Sequence, residues 1–371
     1  MSKRVLYVAT VVKTHIMHFH IPYLKMFKER GWHTAVAARN DYENSSECSI
    51  PYCDEYYDIP FERSPLKLEN ITAFHRLKCI INEGNYDIVH CHTPVAAILT
   101  RLAARKARKK GTKILYTAHG FHFFKGASLL NWLIYFPAEW ICAFMTDTLI
   151  TINNEDYALA MKHMHAKRIE YMPGVGIDTE KAHVNKSARG KICQELGIDT
   201  DSIILLSVGE LIARKNHQIV IRALRRLAIE KNVHYLIAGS GPLYSSLEKI
   251  AHENGLSDRV HLLGYRKDVM DLYSAVDIFV LPSYQEGLPV CLLEAMAHKL
   301  PCVVSKIRGN IDLINECGGI VFVPDRVDEL EARLRDMLEC ERREMGDYNF
   351  AKVQRYSLNH TLTAMERIYK L

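Results

Sequence analysis

The chain has 371 residues, 48% hydrophobic and 25% charged, with a formal net charge of +5. This is the composition of a globular protein, and so small a positive excess excludes the basic footprint of a nucleic-acid binder. Ten cysteines with no Cys-x-x-Cys pair and no regular spacing fit small core residues in a reduced, cytoplasmic setting better than a disulfide framework.

The length is too great for one ordinary core and sufficient for two. Met1-Ser2-Lys3-Arg4 leads into a strand-like run at 5–11, which is too short and lacks the cleavage site of a signal peptide. Further strands are predicted at 34–38, 88–92, 113–118 and 148–152, with a helical pattern over 94–110. The basic end of that helix, Arg101 to Lys110, reads as a solvated face or as a contact for anionic lipid headgroups. All the formal charge excess lies in residues 1–185, with 23 Lys and Arg against 18 Asp and Glu. The apolar stretch 129–145 is broken by Asn131, Pro137 and Glu139 and falls short of the roughly 20 residues of a membrane span. Its aromatics Trp132, Tyr135, Phe136, Trp140 and Phe144 are expected in the core, with an apolar surface as the other possibility.

Histidines mark the loops of this half. His15, His18 and His20 follow the first strand, and His90 and His92 flank Cys91. The spacing of the first three does not fit a single metal site, and alternate residues on a strand share a face without being bound to coordinate. His119 and His122 follow the strand at 113–118 and read equally as members of an aromatic cluster under a loop.

A seam is expected near Pro173-Gly174-Val175-Gly176-Ile177-Asp178, followed by polar sequence up to Lys191. Beyond it, strands are predicted at 203–208, 234–238, 260–264, 278–281 and 302–305, with helices at 217–228 and 243–254. Strands alternating with helices predict parallel sheets in an α/β architecture. Asp199-Thr200-Asp201 precedes a strand and reads as a turn. Gly239-Ser240-Gly241-Pro242 lacks the third glycine of a dinucleotide fingerprint. Arg214 and Lys215 precede a helix, where a solvated pair is the plain alternative to an anion site.

The most informative segment is Pro282-Ser283-Tyr284-Gln285-Glu286-Gly287-Leu288-Pro289-Val290-Cys291-Leu292-Leu293-Glu294-Ala295-Met296-Ala297. A buried strand stops at Pro282, a turn follows, and a helix begins. Glu286 sits at the turn and Glu294 about two helical turns further in, at ~1.5 Å rise per residue. Between them the N–H groups of Gly287, Leu288 and Val290 crowd a helix N-terminus, which favours phosphate or sugar oxygens. Glu294 lies in an apolar stretch, where a carboxylate needs partners.

This segment resembles the Glu-x7-Glu motif of retaining GT-B glycosyltransferases, family 4. So do Val208-Gly209-Glu210-Leu211-Ile212-Ala213-Arg214-Lys215 and Leu115-Tyr116-Thr117-Ala118-His119-Gly120-Phe121. The runs 87–124, 19–23 and 51–55 resemble the family's exopolysaccharide and capsule branch. The resemblance implies two Rossmann-like doubly wound domains facing across a cleft. Residues 1–182 would bind acceptor, with helix 357–371 packing back on them, and residues 183–356 would bind the nucleotide sugar. It further implies that Glu286 and His119 contact the donor sugar, that Lys215 and Arg214 hold the diphosphate, and that Glu294 binds the ribose. Gly287, Leu288, Pro289 and Val290 would line the donor site, with Gly264, Tyr265 and Arg266 passing near the base. No metal or other cofactor is implied. The activity implied is transfer, with retention, from a nucleotide-diphosphate sugar, UDP-linked by expectation, to a lipid-linked or saccharide acceptor. The protein would be cytoplasmic, with peripheral contact at the inner face of the cell membrane left open. An epimerase or phosphorylase of the same fold, and a sugar-nucleotide-binding protein without turnover, remain as alternatives. Two departures from the family stand out: Glu210 replaces an arginine after Gly209, and the loop from Thr10 to His20 has no glycine.

Overall fold

The computed structural model describes residues 2–180, 182 and 185–371. The chain divides into two compact units, Met1–Val175 with Thr361–Leu371, and Gly176–His360. The boundary expected between 182 and 183 falls where His183 and Val184 lie outside the described residues.

In the first unit seven parallel strands form one sheet: β1 (Arg4–Val11), β2 (His33–Arg39), β3 (Glu55–Asp58), β4 (Ile88–His92), β5 (Lys113–Ala118), β6 (Thr148–Thr151) and β7 (Arg168–Tyr171). Their order is β3-β2-β1-β4-β5-β6-β7. Every residue of β4 is buried, as expected of a strand covered on both faces by crossover helices. Leu6, Val8, Val89, Ile114 and Tyr116 pack into one core with the helices. The last helix, Leu358–Tyr369, anchors its end here: the Tyr369 hydroxyl lies 2.6 Å from both the Tyr7 hydroxyl and His90 Nδ1.

The second unit holds six parallel strands: β8 (Ile203–Val208), β9 (Val233–Ala238), β10 (Val260–Gly264), β11 (Ile278–Leu281), β12 (Cys302–Ser305) and β13 (Gly319–Phe322). Their order is β10-β9-β8-β11-β12-β13. In each sheet the order reverses once, between β1 and β4 and between β8 and β11. A doubly wound sheet opens a crevice at such a point, outside the carboxyl ends of the strands.

Two helical regions differ from expectation. The helix predicted over 94–110 is two helices, Pro94–Ala103 and Arg105–Lys109. Arg101 is buried and pairs with Glu139 at 2.8 Å over the Tyr116 ring, so it is no part of a solvated face. In the helix Leu129–Ala143 the aromatics split. Trp132, Tyr135 and Phe136 pack on the core, whereas Leu129, Leu130, Leu133, Ile134, Trp140 and Ile141 are exposed, as is Phe144 just beyond it. Among the described residues, no helix is long and apolar enough to cross a membrane.

Candidate functional site

In the second unit the loops after β8 and β11 are joined by backbone. Tyr284 N–H donates to Arg214 O at 2.8 Å, and Asn216 Nδ2 donates to Pro282 O and Pro324 O. Joining them sets the charged side chains face to face. Lys215 Nζ donates to Glu286 Oε1 at 2.8 Å. Arg214 Nη1 lies 3.4 Å from Glu286 Oε2 and donates to Gln285 O at 2.8 Å. Lys215 and Glu286 are both buried, so each needs the other: removing one partner of a buried pair costs about 3–5 kcal/mol. Burial lowers the lysine's pKa, but the Glu286 carboxylate outweighs it and holds the ammonium above its ordinary range. Lys215 is thus a fixed cation at neutral pH.

Two glycines make the room. Gly209 has φ +157°, and a Cβ there would lie 3.1 Å from Lys215 Cε. Gly309, at φ +77°, comes so close that a Cβ would lie 2.3 Å from Gly287 O. Gly309 is a residue the motif alone does not reveal, because it comes from the loop after β12. Its only sequence signal is a lone glycine following a strand.

The helix Val290–Ala297 starts after Pro289 with no side-chain cap, and Leu292 N–H donates to Pro289 O at 3.2 Å. Leu288 is buried beside it. On this helix Glu294 Oε2 accepts from the Tyr273 hydroxyl at 2.9 Å. Burial pushes the Glu294 carboxyl above its usual range, against the lowering effect of that hydrogen bond. Gly264, at φ +65°, accepts from Gly239 N–H at 2.8 Å, and Tyr265 is exposed. The Arg266 guanidinium is held by Asp268 at 2.7–2.8 Å and by Glu195, so only its backbone remains for a base. Asp199 accepts from Asp201 N–H within a turn.

In the first unit the ends of β1 and β4 frame a cavity of about 250 Å³, lined by Thr10, Thr14, His15, Arg63, Thr93 and His122 among others. Thr10 and Thr93 share a hydrogen bond of 2.7 Å between hydroxyls. Thr93 has φ +63°, a strained position for a β-branched residue. The glycine-free loop after β1 closes as a five-residue π-turn, Val12–Ile16, capped by Asp41, which accepts from Lys13 N–H and from Thr14 N–H and Oγ1.

The histidine triplet and the histidine pair do not stay together. His18 is exposed, with Nδ1 2.9 Å from Lys13 O. His90 is a satisfied core histidine between Tyr369 and Thr117. His15 and His20 gather instead with His92 and His119. Burial pushes His119 down to about 4. His119 and the Lys215–Glu286 pair belong to different units.

Residues 4–153 match the family described as glycosyl transferase 4-like, and residues 188–352 match glycosyl transferases group 1. A Bacillus subtilis (strain 168) protein named as the glycosyltransferase EpsD is 37% identical over 100% of this chain and 97% of its own. The chain is a glycosyltransferase of the GT-B fold, family 4-like. An Escherichia coli UDP-Gal:alpha-D-GlcNAc-diphosphoundecaprenol alpha-1,3-galactosyltransferase is 34% identical over 71% of each chain. In fold, this glycosyltransferase is similar to Anabaena HepE, solved in complex with UDP, with a TM-score of 0.81 and 18% identity over 99% of this chain and 100% of that one.

Proposed function

We propose that this glycosyltransferase moves a sugar, with retention, from a UDP-linked donor to a lipid-linked or saccharide acceptor in exopolysaccharide or capsule-type assembly. The observation that carries the reading is the buried Lys215–Glu286 pair at the β8/β11 reversal, with Glu294 two turns along the adjoining helix. As the bond from C1 to the diphosphate breaks, negative charge grows on the departing phosphate. Lys215, with Arg214, stabilises that charge without reorganising. The acceptor hydroxyl attacks C1 from the same face, and its proton passes to the departing phosphate oxygen. Glu286 and His119 orient the sugar, and Glu294 takes the ribose hydroxyls. The N–H groups of Gly287, Leu288 and Val290 take diphosphate oxygens, and Gly264 to Arg266 pass the base through backbone.

The UDP donor and the lipid-diphosphate acceptor are supported by the name of the Escherichia coli relative. The exopolysaccharide context rests on sequence resemblance. Residues 1–175 would take the acceptor, for which the cavity with Arg63 and three threonines offers a cation and hydroxyls. Peripheral contact with an anionic membrane from the cytoplasmic side is supported by the exposed apolar row on helix Leu129–Ala143. Arg108 donates to Phe144 O at 2.7 Å, which sets the exposed Arg105, Lys106, Lys109 and Lys110 beside that row.

The test is turnover of a UDP-sugar panel with undecaprenyl-diphosphate-linked sugars, with the product anomer read by NMR. A product of retained configuration is expected. An inverted product would remove the front-face mechanism, and UDP-sugar binding without any glycosidic product would favour a binding protein.

A further inference from the structure

Histidines of the first unit form a second constellation, of which the transfer reaction uses only His119. His15 lies on the π-turn after β1, His20 just before the helix Ile21–Glu29, His92 at the end of β4, and His119 just beyond β5. Each offers one ring nitrogen, and these four nitrogens all lie within 4.8 Å of one another. The rings are crowded: centroids lie 3.9 Å apart for His20 and His92, 5.0 Å for His15 and His20, and 5.1 Å for His15 and His119.

Most of this polar capacity is unused. His15 Nε2, both nitrogens of His20 and His92 Nε2 are buried without a hydrogen-bond partner. His20 is 1% exposed and His92 2%. One contact, His92 Nδ1 to His119 Nε2 at 3.2 Å, is satisfied within the group. A buried polar group with no partner costs about 1–3 kcal/mol, so four in one place call for an occupant. Neighbouring His90 shows what the fold does with an ordinary core histidine: both its nitrogens are bonded, at 2.6 and 2.8 Å. Single unpartnered ring nitrogens occur elsewhere, at His33, His217 and His298, but they do not converge on others.

We propose that His15, His20, His92 and His119 bind one divalent transition-metal ion of the zinc class. An all-imidazole set suits Zn²⁺, Co²⁺, Ni²⁺ or Cu²⁺, whereas Mg²⁺ and Ca²⁺ require oxygen ligands. Tetrahedral ligation at ~2.0–2.1 Å sets nitrogens ~3.4 Å apart, so the outer rings close in by about an ångström. His15 and His119 are only half-buried and have room to do so. Three of the four, His20, His92 and His119, line a cavity of about 10 Å³, close to the smallest that holds one water. Outside the ligands, Tyr7 stacks parallel on His92 with a 5.8 Å centroid distance and is itself held by Tyr369.

The ion would clip the π-turn to the ends of β4 and β5, fixing the His15 side of the 250 Å³ cavity. Ligation through one nitrogen also fixes the other nitrogen of His119 as an N–H donor. Ion binding itself needs no transferase activity; only these two consequences for substrates rest on the function proposed above.

The experiment uses the full chain, stripped with chelator and titrated with Co²⁺ and then Zn²⁺. Bound metal is counted by mass spectrometry, geometry is read from the Co²⁺ visible spectrum, and melting is followed alongside. One ion per chain, a tetrahedral cobalt spectrum and a raised melting temperature are expected. His20→Ala and His15→Ala should each weaken binding by roughly 100-fold or more, since even the partners of ligands are worth about 10–100-fold. His15 lies on a half-exposed turn, and circular dichroism in chelator verifies that its variant folds. His18→Ala should bind like the wild type. Three outcomes overturn the proposal: no Zn²⁺ or Co²⁺ bound by the folded wild type, equal binding by both ligand variants, or stabilisation by inorganic pyrophosphate with none by metal.

Discussion

The two units answer the same problem, a polar cluster at the reversal of a parallel sheet, in opposite ways. At the β8/β11 reversal Lys215 meets Glu286 at 2.8 Å, and Tyr273 meets Glu294 at 2.9 Å. Opposite charges are paired, and the site is pre-set around a cation. At the β1/β4 reversal no charge is paired within the histidine group, four ring nitrogens have no partner, and Thr93 is held at φ +63°. The first arrangement is complete as a resting site and ready to exchange partners with an anion. The second is complete only with an occupant. A paired site tolerates emptiness because its desolvation is offset internally, while an unpartnered one relies on what it binds.

The comparison breaks most sharply at Lys215. Lys215→Ala should lower turnover at saturating donor by about 10²–10³-fold, because the charge it meets grows in the transition state. It also strands Glu286, so melting temperature should fall, and adding Glu286→Gln should recover part of that fall but none of the turnover. Near wild-type turnover in Lys215→Ala would move the cation role to Arg214.

Next come the two carboxylates. Glu286→Ala should mainly lower kcat, by roughly 10-fold or more, as expected when an interaction with the reacting sugar is lost. Glu294→Ala should mainly raise KM for the donor, since a ribose contact is much the same before and during the reaction. Equal effects on kcat from both variants would mean that the spacing of these residues does not separate sugar from ribose.

The candidate site of the second unit was legible because it is nearly contiguous. Residues 282–297 carry strand end, turn, both acids and helix start in one stretch, and β8, β10, β11 and β12 begin and end where the apolar runs do. The strands that sequence patterning missed, β3, β7 and β13, are all sheet edges of four residues. Edge strands are short and only half covered, so they lack the continuous apolar run that betrays a central strand. The histidine group was illegible for another reason. His15, His20, His92 and His119 span more than a hundred positions, and only the order β1-β4-β5 makes their strand ends neighbours. Sequence spacing groups His15 with His18 and His90 with His92, which is the wrong partition. Similarly, the exposed row of helix Leu129–Ala143 is hidden by composition, because Trp132 and Trp140 look alike until one face is seen to meet the core.

A smaller effect tests whether Glu294 is kept for binding rather than stability. Its folded pKa is raised by burial, against the Tyr273 hydrogen bond. A raised acid contributes full stability below its unfolded pKa and loses it as pH rises through the folded value. Glu294→Gln should therefore raise the melting temperature at pH 7 by about 1–2 °C, with little change at pH 4, while nucleotide affinity falls. Destabilisation at pH 7 would mean that the carboxylate is a structural partner of Tyr273.

The smallest expected effect is none, and it separates the two regions directly. If Lys215, Arg214 and the helix Val290–Ala297 hold the diphosphate as proposed, a brief assay in excess EDTA should run at the untreated rate. In the histidine group an ion is bound by buried nitrogens and should leave slowly. Prolonged chelation should therefore change acceptor KM and disturb the donor-sugar contact of His119 while leaving nucleotide binding intact, and Zn²⁺ should restore both where Mg²⁺ does not. Immediate loss of activity restored by Mg²⁺ or Mn²⁺ would place a metal on the diphosphate and remove the role given to Lys215. Slow loss restored by Zn²⁺ alone would leave that role untouched, because oxygen-seeking and nitrogen-seeking ions report on different sheets.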